Sequence, residues 1–288
     1  MEINKNKKVG FIGQGYIGKN YADDFEKRGY EVVRYALEEP YITNKEKIQE
    51  CDVVFIAVPT PTTPEGFDDR IIREAISLVG IGKVAVIKST IIPGTTESIQ
   101  KAHSDVVVLN SPEFLSEVTA AHDAANPAQN IIGIPEDTDK HREAAEFVLS
   151  ILPKSPSSLI CKSTESELFK YAHNLSGYTQ IVLFNIIYDL AKKLDCDWEP
   201  IQKAVEADPF ISNRYARPVH KSGRGAGGHC FIKDFAAFTD LYEKCIDDKE
   251  GVKALRSFEE KNKELLSKSG KDIDLLCGVY GDKVVDKA

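Results

Sequence analysis

The stretch GRGAGGHCFIKD, residues 223–234, sets a thiol, Cys230, behind a run of small residues and places Lys233 and Asp234 beside it. An ionised thiol attacks carbonyl carbon well, and positive charge such as that of Lys233 or Lys170 favours the ionised form. The small side chains of GRGAGG let a ligand's phosphates or sugar come close to backbone amides. The bland alternative is a flexible surface loop that carries a cysteine.

Two further segments offer groups for the same kind of chemistry. In ELFKYAHN, Lys170 and Asn174 are four residues apart, hence neighbours on one helical face, whereas His173 lies elsewhere. An isolated helix lysine is usually solvated. This helix is otherwise apolar, so a Lys/Asn pair on it suits an oxygen that becomes negative. In SPEFLSE, Glu113 and Glu117 share a face if the segment starts a helix, and a carboxylate there can serve as general base on a water. Turn and cap chemistry is the competing reading for each. A hydride acceptor together with a thiol permits one specific sequence. An alcohol becomes an aldehyde, the thiol captures it, the hemithioacetal becomes a thioester, and water releases an acid.

The acceptor site is suggested by VGFIGQGYIG, in which Gly13, Gly15 and Gly18 form GxGxxG directly after a strand and at the start of a helix. Gly13 permits the tight turn, Gly15 the approach of a pyrophosphate, and Gly18 close helix–strand packing. The helix N-terminus attracts the phosphate charge. Gln14, Tyr16 and Ile17 complete this turn. The acid expected about twenty residues on, at the end of the second strand, is replaced by Ala36, with Glu38 and Glu39 displaced and Arg34 nearby. NAD is the cofactor expected, and Ala36 leaves NADP as the alternative. Further strand ends, AVPTPTTP and IKSTIIPGTT, offer Pro59, Thr60, Thr62, Ser89 and Thr90 toward the nicotinamide end.

These groups need a frame. KVGFIG, YEVVRYA, CDVVFIAV, KVAVIKST, DVVVLNS and QNIIGIP read as buried strands, with helical spacing between them. This alternation predicts a mostly parallel sheet with helices on both faces. LPKSPSSLICKSTESELFK reads as a connection, with Thr164 and Glu167 as a capping box. One long helix follows to about Leu194, then a helical domain.

The chain has 288 residues, enough for two domains, with 42% hydrophobic and 28% charged residues, as in ordinary globular proteins. A net charge of −8 argues against non-specific nucleic-acid binding. No signal pattern or membrane span is expected. Six scattered cysteines without a CxxC pair favour reduced thiols in the cytoplasm, with no disulfide framework and no metal site.

The segments GQGYIG, VPTPT, KSTIIPGTT, SPEFLSE, ELFKYAHN and GAGGHCFIKD, in this order, resemble the UDP-glucose/GDP-mannose 6-dehydrogenases over about residues 8–240. That resemblance implies NAD-dependent oxidation of a nucleotide sugar to its uronic acid, as used in polysaccharide biosynthesis. It implies an α/β fold: an N-terminal Rossmann doubly wound sheet, residues 1–158, then a long helix and a smaller all-α domain like that of 6-phosphogluconate dehydrogenase, residues 159–270. Residues 271–288 would be a remnant of a third domain or a tail, with GKDIDLLCGVYGDKVVDKA resembling that domain's first strand. By the same resemblance Cys230 is the nucleophile, and Lys170 and Asn174 stabilise the oxyanion. Asp234 positions water or assists proton transfer, Thr90 holds that water, and Glu113 is the base for thioester hydrolysis. Glu117 and Lys233 contact cofactor. Phe114, Leu115, Ser116 and the backbone of Gly227 and Gly228 contact substrate. The long helix forms the core of a homodimer.

Departures from the family pattern fall on the substrate-holding side. Phe210 stands where a sugar-contacting Arg is usual, with Arg214 and Arg217 close by. Gln129 replaces an Arg, and Ile232 interrupts the usual CFPKD. Two rival readings follow. One is a two-domain hydroxyacid or 6-phosphogluconate-type dehydrogenase, which has no use for the thiol. The other is a catalytically silent dinucleotide-binding protein.

Overall fold

The computed structural model describes residues 7–221 and 223–285. The chain begins with β1 (Lys8–Ile12), α1 (Tyr16–Lys27), β2 (Glu31–Tyr35), β3 (Val53–Ile56) and a short hairpin, β4 (Thr62–Thr63) and β5 (Gly66–Phe67). It continues with α2 (Arg70–Ile76), β6 (Val84–Ile87), α3 (Thr95–Ala102), β7 (Val107–Asn110), α4 (Ala120–Ala125), β8 (Gln129–Ile134), α5 (Asp139–Ile151) and β9 (Ser157–Lys162). Then come α6 (Ser163–Lys193), α7 (Trp198–Ala207), a hairpin of β10 (Val219–His220) and β11 (Gly223–Arg224), α8 (Gly228–Cys245), α9 (Lys249–Ser269) and α10 (Ile273–Tyr280).

The chain divides into two units. The first holds the residues up to Thr60 together with Asp69–Lys170; the second holds Pro61–Asp68 and the chain from Tyr171 onward. The first unit is a seven-stranded sheet in the order β2-β1-β3-β6-β7-β8-β9. Every pairing is parallel except the antiparallel contact of β7 with β8 at Asn110 and Gly133. The winding reverses at β1, which lies between β2 and β3, so the ligand crevice of this sheet type falls beyond the carboxyl ends of β1 and β3. Strands read as apolar runs are buried on both faces, as parallel strands under helices must be. Stacked Phe11 and Phe55, 5.2 Å apart, and Phe25 edge-on to Phe11 at 5.4 Å form the centre of the core under α1.

β9 occupies the stretch expected to be a connection. Its residues are largely exposed because it is an edge strand, paired only with β8, so it carries no apolar signature. The capping box also forms differently. Glu165, not Glu167, reaches back to the amide of Lys162 at 2.9 Å, and Glu167 goes to another helix.

α6 is one unbroken helix of 31 residues, about 46 Å long. Gly177 does not interrupt it; a side chain there would collide with the rings of Tyr215 and Phe231. In the second unit α8 is buried along one side. Phe235 stacks on Tyr178 at 3.9 Å, and Ile232 and Ala236 pack with Leu266 of α9 and Leu276 and Val279 of α10. Residues 273–280, expected as the first strand of a further sheet, are thus helical and part of this core. The β4–β5 hairpin belongs to this unit as well. No helix among the described residues is long and apolar enough to cross a membrane.

Phe55→Ala should cost about 3–5 kcal/mol in urea unfolding, because it empties a wholly buried ring site. Leu37→Ala, at a position 79% exposed, should cost less than about 0.5 kcal/mol.

Candidate active site

In the first unit, the β1–α1 turn has the geometry that dinucleotide phosphates need. Gly13 has φ +89°, its amide donates to the carbonyl of Tyr35 at 2.9 Å, and a Cβ on it would overlap the carbonyl of Ala57. A Cβ on Gly18 would overlap the carbonyl of Gly13. Gly15 differs: its φ is −64°, which any residue adopts, and its Cβ would meet nothing within 4 Å. The fold therefore demands Gly13 and Gly18, while Gly15 only keeps open the space over the first amides of α1. That open cradle fits a pyrophosphate.

Several of the residues expected to contact cofactor make structural ties within the unit. The Ser89 hydroxyl donates to the carbonyl of Val58 at 2.7 Å and accepts from its amide at 3.0 Å. Thr60 donates to the carbonyl of Thr90 at 2.7 Å. These bonds join the ends of β3 and β6. Gln14 donates to the carbonyl of Gly13 at 3.1 Å, and Ile17 packs on the core. Pro59 is exposed and Thr90 half-buried. Thr62 belongs to the second unit. Arg34 is engaged by Asp23 at 2.7 Å and Glu26 at 2.9 Å, and Ala36 is buried.

After β7 the chain runs irregularly to a turn before α4, so Glu113 and Glu117 do not share a helical face. Glu113 is buried and Glu117 exposed. Lys170 donates to the carbonyl of Glu113 at 2.5 Å and to its Oε1 at 3.2 Å, while Oε2 accepts from the amide of Leu115 at 2.7 Å. The Phe114 ring sits 5.2 Å from the Lys170 ammonium and edge-on to Phe169. Ser116 donates its amide to Asp123 at 3.0 Å.

Two buried charged groups have surroundings that the sequence reading did not give them, Lys88 having gone unremarked and Glu167 having been read as half of a capping box. Lys88 donates to Ser111 at 3.0 Å and lies over the Tyr21 ring. Burial pulls its pKa down to about 7, the charge of Glu113 opposing this and that of Lys170 adding to it. Its signal was a lysine at the end of the apolar run VAVIK. Glu167 caps α3, accepting from the amides of Gly94 and Thr96 at 2.6 and 2.9 Å and from the Thr96 hydroxyl at 2.5 Å. Burial raises its pKa to about 7 against those donors. Nothing local in the sequence pairs it with residues seventy positions away.

In the second unit, Cys230 is the third residue of α8 and is half-buried. The first turn of a helix is where negative charge is favoured. Asp234 is one turn further on, 1% exposed. Its Oδ2 accepts from Asn174 of α6 at 2.6 Å and its Oδ1 from Lys233 at 2.6 Å. Lys233, expected as a cofactor contact, here pairs with the carboxylate beside it. The amide of Gly228, expected to face substrate, is taken by Asp272 at 2.7 Å. Phe210 is 96% exposed, Arg217 pairs with Glu206, and Arg214 lies over the Tyr215 ring. Lys170 and Asn174 thus stand on successive turns of one helix, α6, each bound to a buried carboxylate of its own unit.

Gly15→Ala should leave the melting temperature within a few degrees and weaken NAD binding at least about tenfold by calorimetry, since only the ligand's space is filled. Unchanged NAD affinity would contradict the cradle assignment.

Residues 40–150 match the NAD binding domain of the UDP-glucose/GDP-mannose dehydrogenase family, and residues 164–264 match its central domain. UDP-glucose 6-dehydrogenase of Rickettsia felis is 30% identical over 81% of this chain, which spans 52% of that relative's length. A solved UDP-glucose dehydrogenase from Pyrobaculum islandicum superposes with a TM-score of 0.77 at 27% identity, over 91% of this chain and 70% of that one. A 3-hydroxyisobutyrate dehydrogenase from Mycobacterium tuberculosis shares the fold over 98% of each chain, with a TM-score of 0.69 at 13% identity. With a Rossmann-like sheet, the long helix and both family domains in order, the chain belongs to the UDP-glucose/GDP-mannose dehydrogenase family.

Proposed function

We propose that this chain oxidises the C6 alcohol of a nucleotide sugar to a carboxylate through a covalent bond to Cys230. One alcohol, one water and two NAD yield one carboxylate, two NADH and three protons. Bound NAD, held at the Gly13–Gly18 turn, would accept the two hydrogens that leave the carbon with their electron pairs. Lys170 and Asn174 donate hydrogen bonds to the substrate oxygen while it carries negative charge. The Cys230 thiolate forms a C–S bond to the aldehyde carbon, giving a thiohemiacetal that the second oxidation converts to a thioester. Glu113 takes a proton from water as the water attacks the thioester; the C–S bond breaks and the thiolate returns. Asp234 orients that water, and Thr90 helps to hold it.

The observation that carries this reading is the Asn174–Asp234 hydrogen bond, which fixes α6 against α8 one turn from Cys230. The Lys170–Glu113 pair supports the proton traffic, since one group can give a proton as the other takes it. NAD is preferred over NADP because Arg34, the cation close to Ala36, is already held by Asp23 and Glu26.

The partner we propose is a second copy of this chain. Leu183, Ile186, Ile187 and Leu190 recur along one face of α6, with Leu194 just past its end, and are 39% to 65% exposed, an apolar stripe that a second copy would cover. The scattered thiols support a reducing compartment, the cytoplasm.

Cys230→Ser should reduce NADH formation on the best substrate from a panel of nucleotide sugars by at least about a hundredfold, with NAD binding retained. Full turnover in that variant would favour a hydroxyacid-type dehydrogenase. Tight NAD binding with no turnover on any sugar would favour a silent binding protein. Leu190→Arg should convert a dimer to a monomer in sedimentation velocity, and a parent chain that sediments as a monomer would rule out the helix-mediated dimer.

A further inference from the structure

We infer, on the reading of Cys230 as the nucleophile, that Asp272 is a positioning residue that holds the first turn of the thiol's helix, at the head of a clamp formed by residues 262–272. The clamp runs the length of the glycine-rich segment before Cys230. Ser269 accepts from the amide of Arg224 at 3.1 Å. Lys271 donates to the carbonyl of Gly225 at 2.9 Å. Asn262 accepts from the amide of Ala226 at 2.7 Å and donates to its carbonyl at 3.0 Å. Asp272 accepts from the amide of Gly228 at 2.7 Å. All of these groups belong to the second unit.

The glycines are explained by the same contacts. A Cβ at Gly223 would come within 2.7 Å of the Ser269 hydroxyl, one at Gly225 within 3.0 Å of the Asn262 carbonyl oxygen, and one at Gly227 would overlap the Asp272 carboxylate. Three of the four glycines are therefore small to admit the clamp. Only Gly228 has open space around it. Asn262 lies within the residues 164–264 matched to the family's central domain, and Ser269, Lys271 and Asp272 lie beyond them.

The chemical consequence follows from helix ends. The first amides of α8 have no partner within the helix, and its N-cap, Gly227, has no side chain to serve them. Asp272 supplies the missing acceptor at Gly228, two residues before Cys230. Asp272 itself has φ +54°, a left-handed conformation that Asn also tolerates, so Asn is the conservative replacement. Without the carboxylate, the start of α8 is free to fray, and a misplacement of the thiol by about 1 Å is enough for a hundredfold loss of rate.

The test compares Asp272→Ala and Asp272→Asn in the full chain, by steady-state kinetics on the best nucleotide sugar and by hydrogen exchange of the 223–230 segment. Asp272→Ala should lower kcat at least about tenfold with the KM for NAD within about twofold, and speed exchange at Gly228 while the first unit's sheet is unchanged. Asp272→Asn, which keeps an acceptor oxygen, should recover kcat to within about threefold of the parent. Unchanged exchange and kcat in Asp272→Ala, or no recovery in Asp272→Asn, would overturn the inference. Should Asp272→Ala not fold, the Asn variant decides: it must hold both kcat and exchange near the parent's. A Cys230→Ser variant with full turnover overturns the nucleophile reading by itself, whatever exchange shows at Gly228.

Discussion

The bond from Asn174 to Asp234 is the contact on which the candidate site depends. It is short, buried, and made to a carboxylate, so it is among the stronger hydrogen bonds a protein makes. Removing Asp234 would strand the Asn174 amide in a site with almost no access to water, and removing Asn174 would leave the carboxylate with Lys233 as its side-chain donor. Through it α6 and α8 are held together at the turn next to Cys230. Lys233 neutralises the second oxygen of the same carboxylate, so the burial of Asp234 is compensated on both sides.

Carboxylates recur as the joints of this molecule, three of them buried and Asp272 half-buried. Glu113 holds Lys170 and the amide of Leu115, Glu167 caps α3, Asp234 joins two helices, and Asp272 caps α8. Each receives two or more donors or a helix N-terminus, which offsets the cost of burying a carboxylate, although at Glu167 burial still raises the pKa to about 7. α6 links two of these joints, because Lys170 and Asn174 are one turn apart on an unbroken helix. The spacing of the two donors is therefore set by helix geometry rather than by loops.

What was legible in the sequence was local. GxGxxG between a strand and a helix signals its own geometry because the turn, the close approach and the helix start all lie within six residues. The six buried strands were legible from their apolar runs. β9 was not, since an edge strand paired on one side needs no apolar run and Ser157 and Ser158 read as a linker. The spacing of Glu113 and Glu117 suggested a shared face only on the condition of a helix, which Pro112 and the turn at 117–119 do not provide. The helix at 273–280 was mistaken for a strand because short apolar runs such as IDLLCGVY suit either period. The partners of the glycine-rich segment were invisible for another reason. Their bonds span 36 to 46 residues, and no pattern within the segment points to them. Glycines read as room for a ligand are, at three positions, room for the protein's own side chains.

The chemistry proposed for this chain turns on a covalent bond between the Cys230 sulfur and the carbon being oxidised. Its most direct measurement is peptide mass spectrometry of the enzyme quenched in acid during turnover of a nucleotide sugar with NAD. An added sugar-acyl mass should appear on the peptide containing Cys230 and be lost on treatment with hydroxylamine. Steady production of the uronic acid with an unmodified Cys230 at every time point, or the same mass on another residue, would contradict it.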